Sequence, residues 1–173
     1  MKNQSLSKII TKNKEVLLFI AKAVGLYVLY YVVYELWLRP NGFFDRLLIH
    51  LLTDTSAFIL ELFNYDVVSS WDRLGITSDR IVRVGSRCDA INLMALYAGF
   101  ILCFKSKIKD KLIFISSGVL VIHILNIIRI VALVLIYYYK PGALEFNHKF
   151  TFTGIIYAAI FIMWVMWVKR VKK

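Results

Sequence analysis

The chain has 173 residues, 60% of them hydrophobic and 15% aromatic, with a net charge of +11. That apolar share exceeds a soluble domain's and identifies an integral membrane protein. The charge does not describe a nucleic-acid binder, because the whole excess sits in three short basic segments, 2–14, 105–111 and 169–173, rather than on one face of a soluble fold.

Taken in order, the chain opens with a basic tail, 1–15, followed by an apolar run over 16–37. The run is too long for the apolar region of a signal peptide and no small-residue cleavage site follows it, so it is expected to stay as a membrane helix. Arg39-Pro40-Asn41-Gly42 is a turn signal that stops it. Over 43–63 the apolar residues keep helical spacing, and Arg46, His50, Asp54 and Glu61 form a polar stripe. This is an amphipathic helix. The stretch 65–87 is polar, and the partial alternation of Asp79 to Val84 predicts a short strand or hairpin within it. Three further apolar segments follow: a short one over 89–104, a long one over 112–138 and a last one over 151–168.

The expected fold is therefore an all-α integral membrane bundle within one domain. It has about four transmembrane helices, one amphipathic helix and a short strand-like extracytoplasmic segment. Basic segments mark the cytoplasmic side. Four crossings place the amino-terminal tail, the 105–111 loop and the carboxyl-terminal tail together on that side, provided 43–63 does not span. The stretch 65–87 and the loop 139–150 then face outward.

Three places in the chain carry chemistry. Arg87-Cys88-Asp89 stands at the head of the second apolar segment, where a helix amino terminus and a nearby cation both lower a thiol pKa. Arg129 lies inside the third apolar segment, with Asn126 and His123 at three-residue intervals before it. An arginine at such depth is costly, seldom faces lipid, and is a functional candidate by default. His148 stands just before the fourth segment. Each group falls at or near the same end of its helix, so a thiol, a base and a guanidinium can meet. The bland readings are a packed cysteine, an arginine bonded to carbonyls or to Asp89, and a solvated histidine. Cys103, by contrast, reads as a small buried hydrophobe. It stands fifteen residues from Cys88, roughly 22 Å along a helix and far beyond disulfide reach. His50 reads as part of the amphipathic stripe, and His123 as a packed helix residue. No Cys/His cluster has metal-ligand spacing, and no metal or cofactor is expected.

These motifs together resemble the exosortase/archaeosortase family of membrane cysteine transpeptidases over roughly residues 65–168, and most of all its small members of the XrtF kind. Ile81 to Cys88 looks like the family's strand-like approach to a catalytic cysteine. Asn126 to Arg129 matches its Asn-x-x-Arg motif in a later helix, and His148 its histidine at the outer start of the last helix, with Gly154 following. The chain departs from the family at one point. The cysteine is commonly followed there by Ser-Gly, and here by Asp89-Ala90. The resemblance implies a multi-pass protein of a bacterial cytoplasmic (inner) membrane with both termini in the cytoplasm. It implies a cysteine peptidase or transpeptidase that cleaves carboxyl-terminal sorting signals near the outer membrane surface. Its substrates would be membrane-anchored proteins ending in a short motif, one helix and a basic tail. Cys88 would be the nucleophile, His148 the acid and base, and Arg129 the oxyanion donor, with Asn126, Asp89 and Arg87 in support. Larger members carry several more amino-terminal helices, which leaves room here for a membrane partner protein. The competing reading is a non-catalytic membrane subunit of an envelope polymer assembly or export system.

Overall fold

A computed structural model describes residues 13–85, 88 and 90–171. The first twelve residues of the basic tail, Arg87, Asp89 and the end of the carboxyl-terminal tail lie outside the described residues. The described residues form five helices and three short strands: α1 (Lys14–Asn41), α2 (Phe43–Leu62), β1 (Val68–Ser70), β2 (Arg73–Thr77), β3 (Arg80–Arg83), α3 (Ile91–Cys103), α4 (Ile108–Tyr139) and α5 (Pro141–Val171). By length and composition α1, α4 and α5 can each cross a membrane. The apolar helix α3 is the fourth member of the bundle. Its 13 residues rise only about 20 Å, less than the roughly 30 Å of a hydrocarbon core.

The helices end where local chemistry forces them to, though not always where the apolar pattern stops. Helix α1 runs through Pro40, which was expected to break it. Its turns widen to a π-helix over Tyr31–Leu38, where the Arg39 N–H reaches back to the Tyr34 carbonyl. A loosened ladder can pass a residue that has no N–H to donate. The stop falls at Gly42, whose φ of 61° is left-handed backbone that suits glycine. Helix α2 ends in the same way at Asn64, also at φ 61°. Helix α4 begins at Ile108, inside the Lys-rich segment and four residues ahead of the expected 112. It ends at Lys140, which is held out of helical backbone by Pro141. That proline then opens α5, ten residues before the expected 151. The anticipated 139–150 loop is thus almost wholly helical.

The polar stretch folds into a three-stranded antiparallel meander in the order β1-β2-β3, one strand richer than a hairpin. Leu74 pairs with both Ser69 and Val82, and a register shift lies between Gly75 and Thr77. Gly75 is required where it stands, because a Cβ would collide with the Arg80 carbonyl.

Two cores hold these elements together. The first joins α2, the sheet and the last third of α4 through Ile49, Leu60, Leu74, Val84, Ile130 and Val134, and it includes Cys88. We refer to this part as the cap. It is fastened to the end of α4 by the Arg80 guanidinium, which donates to the Tyr138 carbonyl, and by a Tyr65–Tyr139 hydroxyl pair 2.9 Å apart. The second core joins α3, the first part of α4 and α5 through Ala90, Tyr97, Ile101, Ile122, Ile156 and Trp167. We refer to this part as the bundle. Helix α4, about 48 Å long, belongs to both. Helix α1 packs mainly along α3 and buries none of its first seventeen residues. Its apolar surface is fit for lipid rather than for a protein core.

Candidate active site

Cys88 belongs to the cap core and Ala90 to the bundle core, so the chain crosses from one to the other at this point. The Cys88 N–H donates to the Gly85 carbonyl at 2.7 Å. Its own carbonyl accepts from the Asn126 side-chain amide, from the middle of α4. The backbone on both sides of the thiol is thereby held. Two residues on, Ala90 takes φ 60° and caps α3 in left-handed backbone, with its methyl buried. This is where the resembled family commonly has glycine, the residue for which such a φ carries no steric cost. The bracing of Cys88 by Gly85 and the conformation of Ala90 had no separate signal in the sequence.

His148 reaches the thiol from α5. Its Nε2 lies 3.7 Å from Cys88 Sγ, across sixty residues of chain, and Cys88 is only 6% exposed. The histidine does not precede the helix, as the apolar pattern suggested. It sits inside α5, in a π-helical stretch over Asn147–Thr151. Such stretches displace carbonyls from the regular ladder and recur at functional sites. Here side chains take them up: Asn147 donates to the Ala143 carbonyl at 2.9 Å, and Thr153 to the His148 carbonyl at 3.2 Å. Thr153 thus braces the histidine, a role that its place in the sequence did not announce.

Arg129 follows Asn126 by one turn of α4. It is 7% exposed and within electrostatic reach of His148. Among the described residues, Arg129 Nε and Asn126 Oδ1 are buried without a hydrogen-bond partner. A buried guanidinium with a donor to spare can receive an oxyanion or carboxylate. The structure therefore brings together four of the six residues picked from the sequence: Cys88, Asn126, Arg129 and His148. Arg87 and Asp89 lie outside the described residues, and with them any pairing of Asp89 with Arg129 or His148.

The remaining candidates are elsewhere. His50 pairs with Asp54 at 2.6 Å on the exposed stripe of α2. His123 is half-buried on α4, one turn before Asn126. Cys103 is at the far end of α3, where its thiol donates to the Gly99 carbonyl at 3.2 Å. Among the described residues no group of three His, Cys, Asp or Glu side chains could hold a metal ion. A crevice of about 460 Å³ runs along α3 between α1 and α5, from Asn92 and Glu35 at one end to Phe19 and Cys103 at the other. Cys88, Arg129 and His148 do not line it; Asn92, which does, stands in the first turn of α3, four residues after Cys88 in the chain.

Comparison with known proteins gives one match. A family model described as transmembrane exosortase (Exosortase_EpsH) covers residues 9–167 of the chain. No curated protein and no solved structure matches it significantly. With three helices able to span a bilayer, the match describes a multi-pass membrane protein.

Proposed function

The chain belongs to the transmembrane exosortase family, and on that premise we propose that it is a cysteine peptidase or transpeptidase whose centre is Cys88, His148 and Arg129. One observation carries the reading: a buried thiol stands 3.7 Å from an imidazole nitrogen, and a buried guanidinium whose Nε has no partner among the described residues is within electrostatic reach of that imidazole. A structural cysteine has no need of either neighbour.

In this reading His148 takes the proton of Cys88, and the thiolate attacks the carbonyl of the peptide to be cut. The tetrahedral oxyanion is received by the Arg129 guanidinium, whose charge is fixed in place before the reaction begins. Collapse breaks the C–N bond, His148 returns the proton to the leaving amine, and a thioester remains on Cys88. Water or an acceptor amine then attacks the thioester while His148 takes its proton, and the C–S bond breaks to release the Cys88 thiolate, which His148 reprotonates. The substrates are membrane-anchored proteins with a carboxyl-terminal motif, one helix and a basic tail. The crevice along α3 offers an apolar path for such a helix, and it begins at the end of α3 that follows the nucleophile in the chain. Its floor includes Ala95 and Gly99, four residues apart, a spacing that lets helices approach closely. The cap then lies on the outer face of the cytoplasmic membrane, opposite the basic 105–111 segment.

The test is co-expression with a protein carrying such a signal. Wild-type protein should remove the tail. Cys88→Ala should leave the substrate full length at unchanged enzyme level, while Cys103→Ala should process normally. Full processing by Cys88→Ala would exclude the thiol mechanism and leave a non-catalytic membrane subunit as the better reading.

A further inference from the structure

We infer that Asn126 is a positioning residue for Cys88, holding the thiol against His148 by fixing the Cys88 carbonyl; this rests on the reading of Cys88 and His148 as a reacting pair. The orientation of its amide is settled by the acceptor. A carbonyl oxygen can only accept, so the Asn126 Nδ2 faces it and Oδ1 is turned away. Oδ1 is buried there with no partner among the described residues, and Asn126 is fully buried. An amide left half-satisfied in an apolar interior bears its desolvation penalty in full. An apolar residue of the same shape would pack here at least as well. The amide's contribution is directional: it ties the nucleophile's backbone to the middle of the longest helix.

That tie matters because of what lies on either side. Ala90 stands in left-handed backbone that an alanine adopts only under constraint. The Cys88 N–H donates to the Gly85 carbonyl in a tight turn. Without the Asn126 donor, the Cys88 carbonyl would turn toward another donor and Ala90 could relax to negative φ. The thiol would then swing off the imidazole. Helix α4 carries Arg129 one turn beyond Asn126, so a single rigid element sets both the backbone of the nucleophile and the place of the guanidinium.

The experiment uses full-length protein in detergent with Cys103→Ala as background, so that Cys88 is the only thiol. The rate of alkylation by a small iodoacetamide is followed against pH and normalised to folded protein. The titratable and charged groups described around the thiol are His148 on α5 and Arg129 on α4. Arg87 and Asp89 are its neighbours in sequence and are the same in every variant. His148→Ala sets the reference: losing the imidazole should lower the neutral-pH rate on the order of tenfold, the effect of one unit in the thiol pKa. Asn126→Leu, which keeps the branching at Cγ and removes the donor, should reproduce most of that fall. The double variant should fall no further than His148→Ala alone. Asn126→Gln keeps the donor on a longer stem and tolerates the site if Asn126→Leu does not accumulate; it should recover part of the rate. A wild-type pH profile in Asn126→Leu and Asn126→Gln, with His148→Ala shifted, would overturn this inference and leave the Cys88–His148 reading standing. An unshifted His148→Ala would overturn both.

Discussion

The two cysteines stand near opposite ends of α3, and the contrast between them separates the cap from the bundle. Both are buried. Cys103, at the bundle's far end, gives its thiol proton to a carbonyl one turn earlier in its own helix. That bond is local to its own helix. Cys88 is braced by Gly85 on one side and by Asn126 from α4 on the other, and it faces His148 from α5. Burial therefore does not distinguish the two cysteines; the sequence distance of their partners does. The bundle spends its side chains on packing. The cap, with the residues where it meets the bundle, holds ionisable groups that packing alone would not retain.

Substitutions at three positions probe that division, from the largest expected effect to the smallest. Arg129→Lys should insert and fold, yet lose turnover on the order of a hundredfold, as for the removal of one oxyanion donor. A lysine is a point charge without the planar fork, and it gives up its proton more readily when buried. The measurement is cleavage rate per folded molecule. A near-normal rate with lowered melting temperature would make Arg129 structural and move the boundary of the functional region out of α4.

Gly118→Val should do the reverse. A Cβ at Gly118 falls within the ring of Tyr97, whose hydroxyl donates to the Phe114 carbonyl at 2.9 Å. Overpacking of this kind costs about 1–3 kcal/mol. Thermal stability in detergent should fall, while the surviving molecules cleave at the original rate. A loss of rate per folded molecule would show that the bundle tunes the site.

Ala90→Gly lies on the border and should do least. Relief of left-handed backbone gains about 1–2 kcal/mol. Against this stand the extra freedom of an unfolded glycine, about 0.5–1 kcal/mol, and a buried methyl group, about 0.8 kcal/mol. These nearly cancel, so the melting temperature should stay within a few degrees. Ala90→Val, with a branched side chain at the same φ, should be clearly destabilising. A tolerated valine would show that Ala90 is not held in left-handed backbone.

The sequence by itself determined the class of the molecule and marked its candidate groups. Apolar runs longer than a bilayer is thick read as membrane helices, and an arginine inside one of them is too costly there to go unmarked. Helix limits were less legible. The pattern placed His148 ahead of its helix and broke α1 at Pro40, because hydropathy registers lipid contact and not the backbone ladder. The π-helical stretches carry both α1 and α5 past those points. Only the tertiary structure decided that Asn126 holds Cys88, that Ala90 turns left-handed and that the cap and the bundle meet at the thiol. Those features depend on contacts between residues tens of positions apart, and no local spacing encodes which side chain will close a buried hydrogen bond.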